Sequence, residues 1–210
     1  MKQKTKKCKY CKSEFTPFYS TIQAVCTPLC AALLAKGQQE KKAEKLQKEQ
    51  KQQTKKELRT NPEWLKLLET EINTIVRLID RDHPCMSSRF HIRKNQVNAG
   101  HLYSVKSNPA IRFNLFNIYA QTIEQNQHKG GAPLEFVEGL EHYFGKHHKE
   151  YVLSLKYTYT VLKLANHEIE EKITIAKGIV KWLKLQERMF TTEERINLRH
   201  RFNEELGIYK

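Results

Sequence analysis

The sequence predicts an α+β chain that is mostly helical, opening with a small four-cysteine knuckle and a long basic helix. Three observations carry this: two closely spaced cysteine pairs within residues 8–30, an Ala/Leu/Gln/Glu/Lys-rich stretch without Pro over 31–60, and apolar residues at helical spacing after Pro62 and again beyond Pro133. At 210 residues, 24.8 kDa and 39% hydrophobic residues, the chain supports one or two small domains with modest cores. The expected divisions are a knuckle at 1–30, a basic helix or linker at 31–60, a core with a leading helix at 61–132, and a helical C-terminal region at 133–210.

The knuckle reads Cys8-x2-Cys11, fourteen residues, then Cys26-x3-Cys30. Each short pair supplies two corners of a tetrahedron, and Phe15, Pro17, Phe18 and Tyr19 can form the hairpin around a structural Zn2+. Reactive or incidental thiols are the alternative. The run from Gly37 to Glu57 lacks an apolar stripe, which predicts an exposed helix or a tether. Asn61-Pro62 reads as a cap with Pro at the first helical position. Trp64, Leu65, Leu67, Leu68, Ile72, Ile75, Val76 and Leu78 then predict one amphipathic helix to about Ile79, closed by Asp80-Arg81-Asp82-His83-Pro84. Short β-like stretches are expected at Phe90–Ile92 and His101–Val105, with a short helix near Asn126. Helices follow over about 134–145, 148–165 and 167–187, and a last one opens at Thr191-Thr192-Glu193-Glu194. Tyr151, Tyr157 and Tyr159 are expected in the core of this bundle, and His142, His147 and His148 in solvated or packing roles.

The net charge is +14, and residues 1–60 hold 15 Lys/Arg against 5 Glu, so this segment carries +10 of it. Such a block suits a polyanion, above all nucleic acid, with Lys41, Lys42, Lys45, Lys55 and Lys56 as candidate phosphate contacts. The plainer reading is a solvated helix that needs charge for solubility. No apolar run reaches the roughly 18–20 residues of a membrane helix, and the N-terminal lysines have no apolar segment behind them, so a soluble intracellular protein is expected. Five cysteines, an odd number, suit a reducing compartment.

Residues 98–131 place four Asn between His101 and His128 and end in Gly130-Gly131, read as a turn. Buried amides need partners, so such a density belongs more to a site than to a core. Phosphodiester hydrolysis needs a base to activate water and a cation to neutralise developing charge. A neutral imidazole suits the first task, and amide or imidazole ligands on a short helix suit the second. His101, Asn117, Asn126 and His128 have the spacing of strand, loop, strand and helix bending over one metal; two surface histidines are the bland alternative.

Arg81-Asp82 with Pro84-Cys85, Ala99-Gly100-His101, Arg112-Phe113-Asn114 with Asn117-Ile118, Gln121, and Asn126-Gln127-His128-Lys129 followed by Gly131 resemble the NinG (Rap) recombination proteins of lambdoid phages. The resemblance takes in the knuckle and basic helix and covers about residues 6–135. It implies a divergent HNH, or ββα-metal, core and endonuclease action on branched DNA such as Holliday junctions and D-loops, leaving 5′-phosphate and 3′-hydroxyl ends. It implies His101 as general base, Asn117 as the residue that fixes the loop and orients His101, and Asn126, with His128 and Asn98, around a catalytic Mg2+ or Mn2+. Arg112 and Lys129 would hold phosphate. The expected setting is the cytoplasm of a bacterial host, with phage or host recombination proteins as partners and a homodimer if junctions are cut symmetrically.

The chain departs from the family where a second zinc is expected. Cys85-Met86-Ser87-Ser88 and Thr122-Ile123-Glu124-Gln125 stand in place of two CxxC pairs, and Asn98 stands where relatives often carry Asp. The core is then expected to be held by Ile111, Phe113, Leu115, Phe116 and Ile118. The rival reading is a catalytically decayed DNA-binding protein or zinc-finger adaptor.

Overall fold

The computed structural model describes residues 5–209; residues 1–4, whose lysines enter the basic count, and Lys210 lie outside the described residues. The protein is α+β and mostly helical, and it divides into two compact units, Met1–Arg59 and Thr60–Lys210. In the first, strands β1 (Lys6–Lys7) and β2 (Glu14–Phe15) pair antiparallel with Lys6 opposite Phe15. Helix α1 (Pro28–Glu57) begins inside the knuckle. Thr27 caps it by accepting from Cys30 N at 3.2 Å, and Pro28 occupies the first turn, where no N–H is needed. No residue of α1 is buried, as its missing apolar stripe predicts.

In the second unit α2 (Asn61–Ile79) starts one residue earlier than Asn61-Pro62 suggests. Thr60 is the cap, and Glu63 reaches back to Thr60 N at 2.8 Å in a capping box. Trp64, Leu68, Ile72, Ile75, Val76 and Ile79 form its buried stripe. They pack with Ile169, Ala176 and Leu183 of α5 (Asn166–Lys184) and with Phe202 and Leu206 of α6 (Thr192–Leu206). The expected boundary at 132/133 is therefore not a division of the structure, because helices from both sides of it share one core.

Strands β3 (Val97–His101) and β4 (Ile118–Thr122) form an antiparallel pair with Gly100 opposite Tyr119. Successive β4 side chains serve opposite layers. Ile118 joins the α2/α5/α6 core, whereas Tyr119 joins a second core with Met86, Phe136 and Leu140 of α3 (Pro133–Phe144), and Val152 and Leu155 of α4 (Lys146–Thr158). Ile111, Phe113, Leu115, Phe116 and Ile118 are all fully buried. A π turn over Glu124–His128 follows β4, where a short helix is expected.

Several local expectations are corrected. Phe90–Ile92 is not a strand: Cys85 N donates to Phe90 O at 2.8 Å, which folds the segment into a turn and leaves Phe90 exposed. The strand expected at His101–Val105 ends at His101, because Ser104 O accepts from both Ser107 N and Asn108 N and turns the chain away. Tyr157 is 74% exposed and Tyr151 40%, so neither is a core residue, whereas Tyr159 packs partly against the second core. His148 is buried and hydrogen-bonded through Nε2 to Tyr119 Oη at 2.7 Å, while His142 and His147 face solvent.

Gly100 precedes His101 for a steric reason. A Cβ there would lie 1.7 Å from Gln121 Oε1, and the Gln121 side chain is itself buried, donating to Gly131 O at 2.7 Å and to Ser87 Oγ. Gly100→Ala is expected to cost about 1–3 kcal/mol as an overpacking change, read as a lower denaturation midpoint at unchanged slope.

Candidate functional site

The four knuckle sulfurs come together. The Sγ atoms of Cys8, Cys11, Cys26 and Cys30 all lie within 4.8 Å of one another, with Cys11–Cys26 and Cys26–Cys30 both at 3.5 Å. A tetrahedron of Zn–S bonds of about 2.3 Å has edges of about 3.8 Å, so this donor set fits a structural metal such as zinc. Thiol–thiol hydrogen bonding, first from Cys30 and then Cys11, pushes Cys26 up to about 12. Burial would raise Cys8, but backbone N–H donors led by Cys26 hold it at about 6. Four sulfurs this close carry their full negative charge only against a cation.

The turn at Cys85 repeats the backbone of this knuckle. Lys12 and Arg89 both adopt positive φ, at 64° and 60°. Lys12 N donates to Cys8 O at 3.0 Å, as Arg89 N does to Cys85 O at 2.9 Å, and Cys8 N donates to Ser13 O at 2.9 Å, as Cys85 N does to Phe90 O at 2.8 Å. Cys26 N and Thr122 N each donate to the first thiol, Cys8 Sγ and Cys85 Sγ, at 3.4 Å. Ser88, Thr122 and Gln125 stand where further thiols would be needed. The buried Cys85 therefore packs against Ile92 and Ala120 as an apolar side chain.

The second site is an open hollow of about 440 Å³ beside the end of β3. Asn98 and His101 of β3 line it with Asn126 of the π turn and with Glu69, Asn73 and Arg77 of α2. His101 Nε2 is 3.0 Å from Arg112 O. A carbonyl only accepts, so Nε2 carries the hydrogen and Nδ1 keeps the lone pair. Burial lowers the His101 pKa below its ordinary value, so the ring is neutral near pH 7. Asn117, fully buried between the strands, accepts from Tyr103 N at 2.9 Å and donates to Tyr103 O at 3.0 Å, closing the loop that follows His101 onto the base of β4.

Not every expected residue reaches this hollow. The Arg112 guanidinium turns away to Glu69 Oε2 at 2.5 Å and lies over the Phe113 ring, so its backbone carbonyl serves His101 while its charge is spent on Glu69. His128 is exposed and does not line the hollow, and Lys129 pairs with Glu124 at 3.2 Å. Lys41, Lys42, Lys45, Lys55 and Lys56 lie along α1 in the other unit, where Lys45 pairs with Glu49 at 3.8 Å. The α2 residues were not among the expected ones. Their only sequence signal is the i, i+4, i+8 row Glu69, Asn73, Arg77, running beside the apolar row Leu68, Ile72, Val76.

Among the described residues no helix is long and apolar enough to cross a membrane, and the four cysteines are the one group of three or more Cys, His, Asp or Glu side chains close enough to share a metal. No solved structure matches the chain. Curated relatives do: Protein ninG of Enterobacteria phage H19B is 35% identical over 140 residues, covering 60% of this chain and 69% of that one. Protein ninG of Escherichia phage lambda is 32% identical over 135 residues, 58% of this chain and 65% of the relative, and that of Salmonella phage P22 is 32% identical over 146 residues, 62% and 71%. The family model described as Bacteriophage Lambda NinG protein matches residues 1–187, well past the residue 135 at which the sequence resemblance was expected to stop. On that match the chain belongs to the phage NinG protein family.

Proposed function

We propose that this protein is a divalent-metal-dependent endonuclease acting on branched DNA in phage recombination, with β3, β4 and the π turn as a divergent HNH-like core. One observation carries the reading: His101, which lines an open hollow, gives its Nε2 hydrogen to Arg112 O and so keeps Nδ1 unprotonated. That is the tautomer a general base requires. In this role Nδ1 takes a proton from water as the water attacks phosphorus, and the 3′-oxygen leaves. Asn117 acts through the loop geometry rather than on the substrate.

The donors around the hollow suit a hard cation. They are the amides of Asn98 and Asn126, the Glu69 carboxylate, and Asn73 Oδ1, a buried acceptor with no partner among the described residues. With a single carboxylate, Mg2+ or Mn2+ would keep several waters and depend on substrate phosphate for the rest of its shell. When bound it would supply charge neutralisation at the scissile phosphate. The exposed lysines of α1 would add phosphate contacts without base reading, making affinity steeply salt-dependent.

The test is cutting of a labelled four-way junction against a linear duplex, with Mg2+, with Mn2+ and with neither added. Wild type is expected to cut the junction only with a divalent ion, and His101→Ala to lower the rate by about 10²–10⁴. Because burial depresses the His101 pKa, the base form persists below the ordinary value of about 6.5, and the rate should fall only as pH drops through the lowered value. Junction binding without cutting under any of these conditions would replace this reading with that of a DNA-binding protein.

A further inference from the structure

The unit Thr60–Lys210 spends its shielded arginines on carboxylates. Arg195 and Arg199 pair with Asp80, each at 2.8 Å, and Arg112 pairs with Glu69. Arg77 has no such pairing. Its guanidinium is about half buried and donates from Nη2 to Thr74 Oγ1 at 2.9 Å, with no carboxylate partner among the described residues. It stands in the wall between the His101 hollow and a second hollow of about 640 Å³. The second hollow is lined by Asp80, Asp82 and Glu187 as well as Arg81, so it has no excess positive charge of its own. In the His101 hollow Glu69 is the one carboxylate and Arg112 already engages it, so on that side the Arg77 charge has no counter-ion.

We propose that Arg77 is the phosphate seat of this hollow, holding a phosphodiester of the nucleic-acid strand whose neighbouring bond faces His101. A guanidinium has five N–H donors in a planar fork that matches two phosphate oxygens, and only one of those donors is satisfied among the described residues. Desolvation without a counter-ion lowers the Arg77 pKa, the cost that a bound anion would remove. The position on α2 sets the order along one helix face. Asn73 offers an unpartnered acceptor at one end, beside the Glu69 carboxylate that Arg112 shares, and Arg77 offers donors at the other, so a phosphate can span the two. This assigns to Arg77 the task that the resemblance implies for Arg112 and Lys129, whose charges are already paired. The assignment of the ligand as a DNA strand rests on the nuclease reading.

The experiment measures binding of a labelled four-way junction by the full-length, zinc-loaded chain across a salt series, in a His101→Ala background so that nothing is cut. Arg77→Gln keeps a side chain that can reach Thr74 but removes the charge, Arg77→Lys restores it, and Arg201→Ala removes an exposed charge that does not line the hollow. Thermal unfolding confirms that each variant folds. Arg77→Gln is expected to flatten the slope of log K against log salt by about 0.9, one phosphate contact, with recovery in Arg77→Lys and no change in Arg201→Ala. An unchanged slope in Arg77→Gln overturns the proposal even if His101 proves essential for cutting. A flattened slope in a protein whose wild type never cuts overturns the nuclease reading and keeps the phosphate seat. In a parallel arm, inorganic phosphate that stabilises wild type but not Arg77→Gln, with the junction slope unchanged, would mark a free-phosphate site and also overturn the assignment to a strand.

Discussion

Withdrawing the metal from the knuckle is expected to unfold the Cys8–Cys30 segment and unravel the start of α1 while leaving Thr60–Lys210 intact. The sulfurs are the centre of the first unit: its strands are two residues each, and α1 buries nothing. Short hairpins and unpacked helices are marginal in water, so little but the four-sulfur centre holds this unit. Cys30 sits in the first turn of α1, so a metal held by the four sulfurs would be tied directly to the helix start. Cys26→Ser or Cys30→Ser should lower zinc affinity by more than about 100-fold, since even partners that only support a ligand are worth about 10–100-fold. Metal analysis should fall below one ion per chain, and helical circular dichroism should drop while the main cooperative unfolding transition keeps its midpoint. A midpoint that moves with the metal would show that the two units are not independent. Lost helix also scatters the exposed lysines of α1, so junction affinity should fall even where His101 is untouched.

What the sequence disclosed and what it hid follow from how local each feature is. The knuckle was legible because its ligands recur at short, fixed spacing, and α1 was legible from propensity without a stripe. The buried set Ile111, Phe113, Leu115, Phe116 and Ile118 was also legible, since a dense apolar run has nowhere else to go. His101 and Asn117 were reached through resemblance, and their geometry is long-range: His101 is oriented by the carbonyl of Arg112, eleven residues away. The α2 contribution was hidden because Glu69, Asn73 and Arg77 lie far upstream, on a helix whose apolar stripe already accounts for it. Arg112 shows the limit most clearly. The resemblance implied a phosphate contact for it, but Glu69 reaches it through tertiary packing that no spacing encodes.

Asp80→Asn is expected to cost the Thr60–Lys210 unit about 3–5 kcal/mol, the penalty for stranding buried charges. Asp80 caps α2 from a fully buried position. Its Oδ2 accepts from Ala120 N at 2.9 Å and from Arg199 Nη2 at 2.8 Å, and its Oδ1 accepts from Arg195 Nε at 2.9 Å. Arg199 also donates to Leu115 O and stacks over Tyr119, with its guanidinium 4.2 Å from the ring centroid. Removing the carboxylate leaves two guanidiniums with no counter-ion, whereas replacing all three residues by apolar side chains of similar volume should cost far less. Burial would raise the Asp80 pKa, but the Arg195 and Arg199 charges and their hydrogen bonds hold it below the ordinary range. Its stabilisation is therefore complete above the unfolded value of about 3.9 and is lost only as pH falls through the depressed folded value, so wild type should weaken below about pH 4 and Asp80→Asn should show little of that dependence. Both arginines lie on α6, beyond the segment matched to the family. The same helix region steadies the His101 loop, since Asn203 Oδ1 accepts from Leu115 N at 3.1 Å and Tyr209 Oη from Phe113 N at 3.0 Å, beside the Arg112 carbonyl that orients the ring. Truncation after residue 187 should thus unfold the unit rather than trim an accessory tail, and in Asp80→Asn any cutting should decline at temperatures where the protein is still folded, as the loop that aims His101 loosens first.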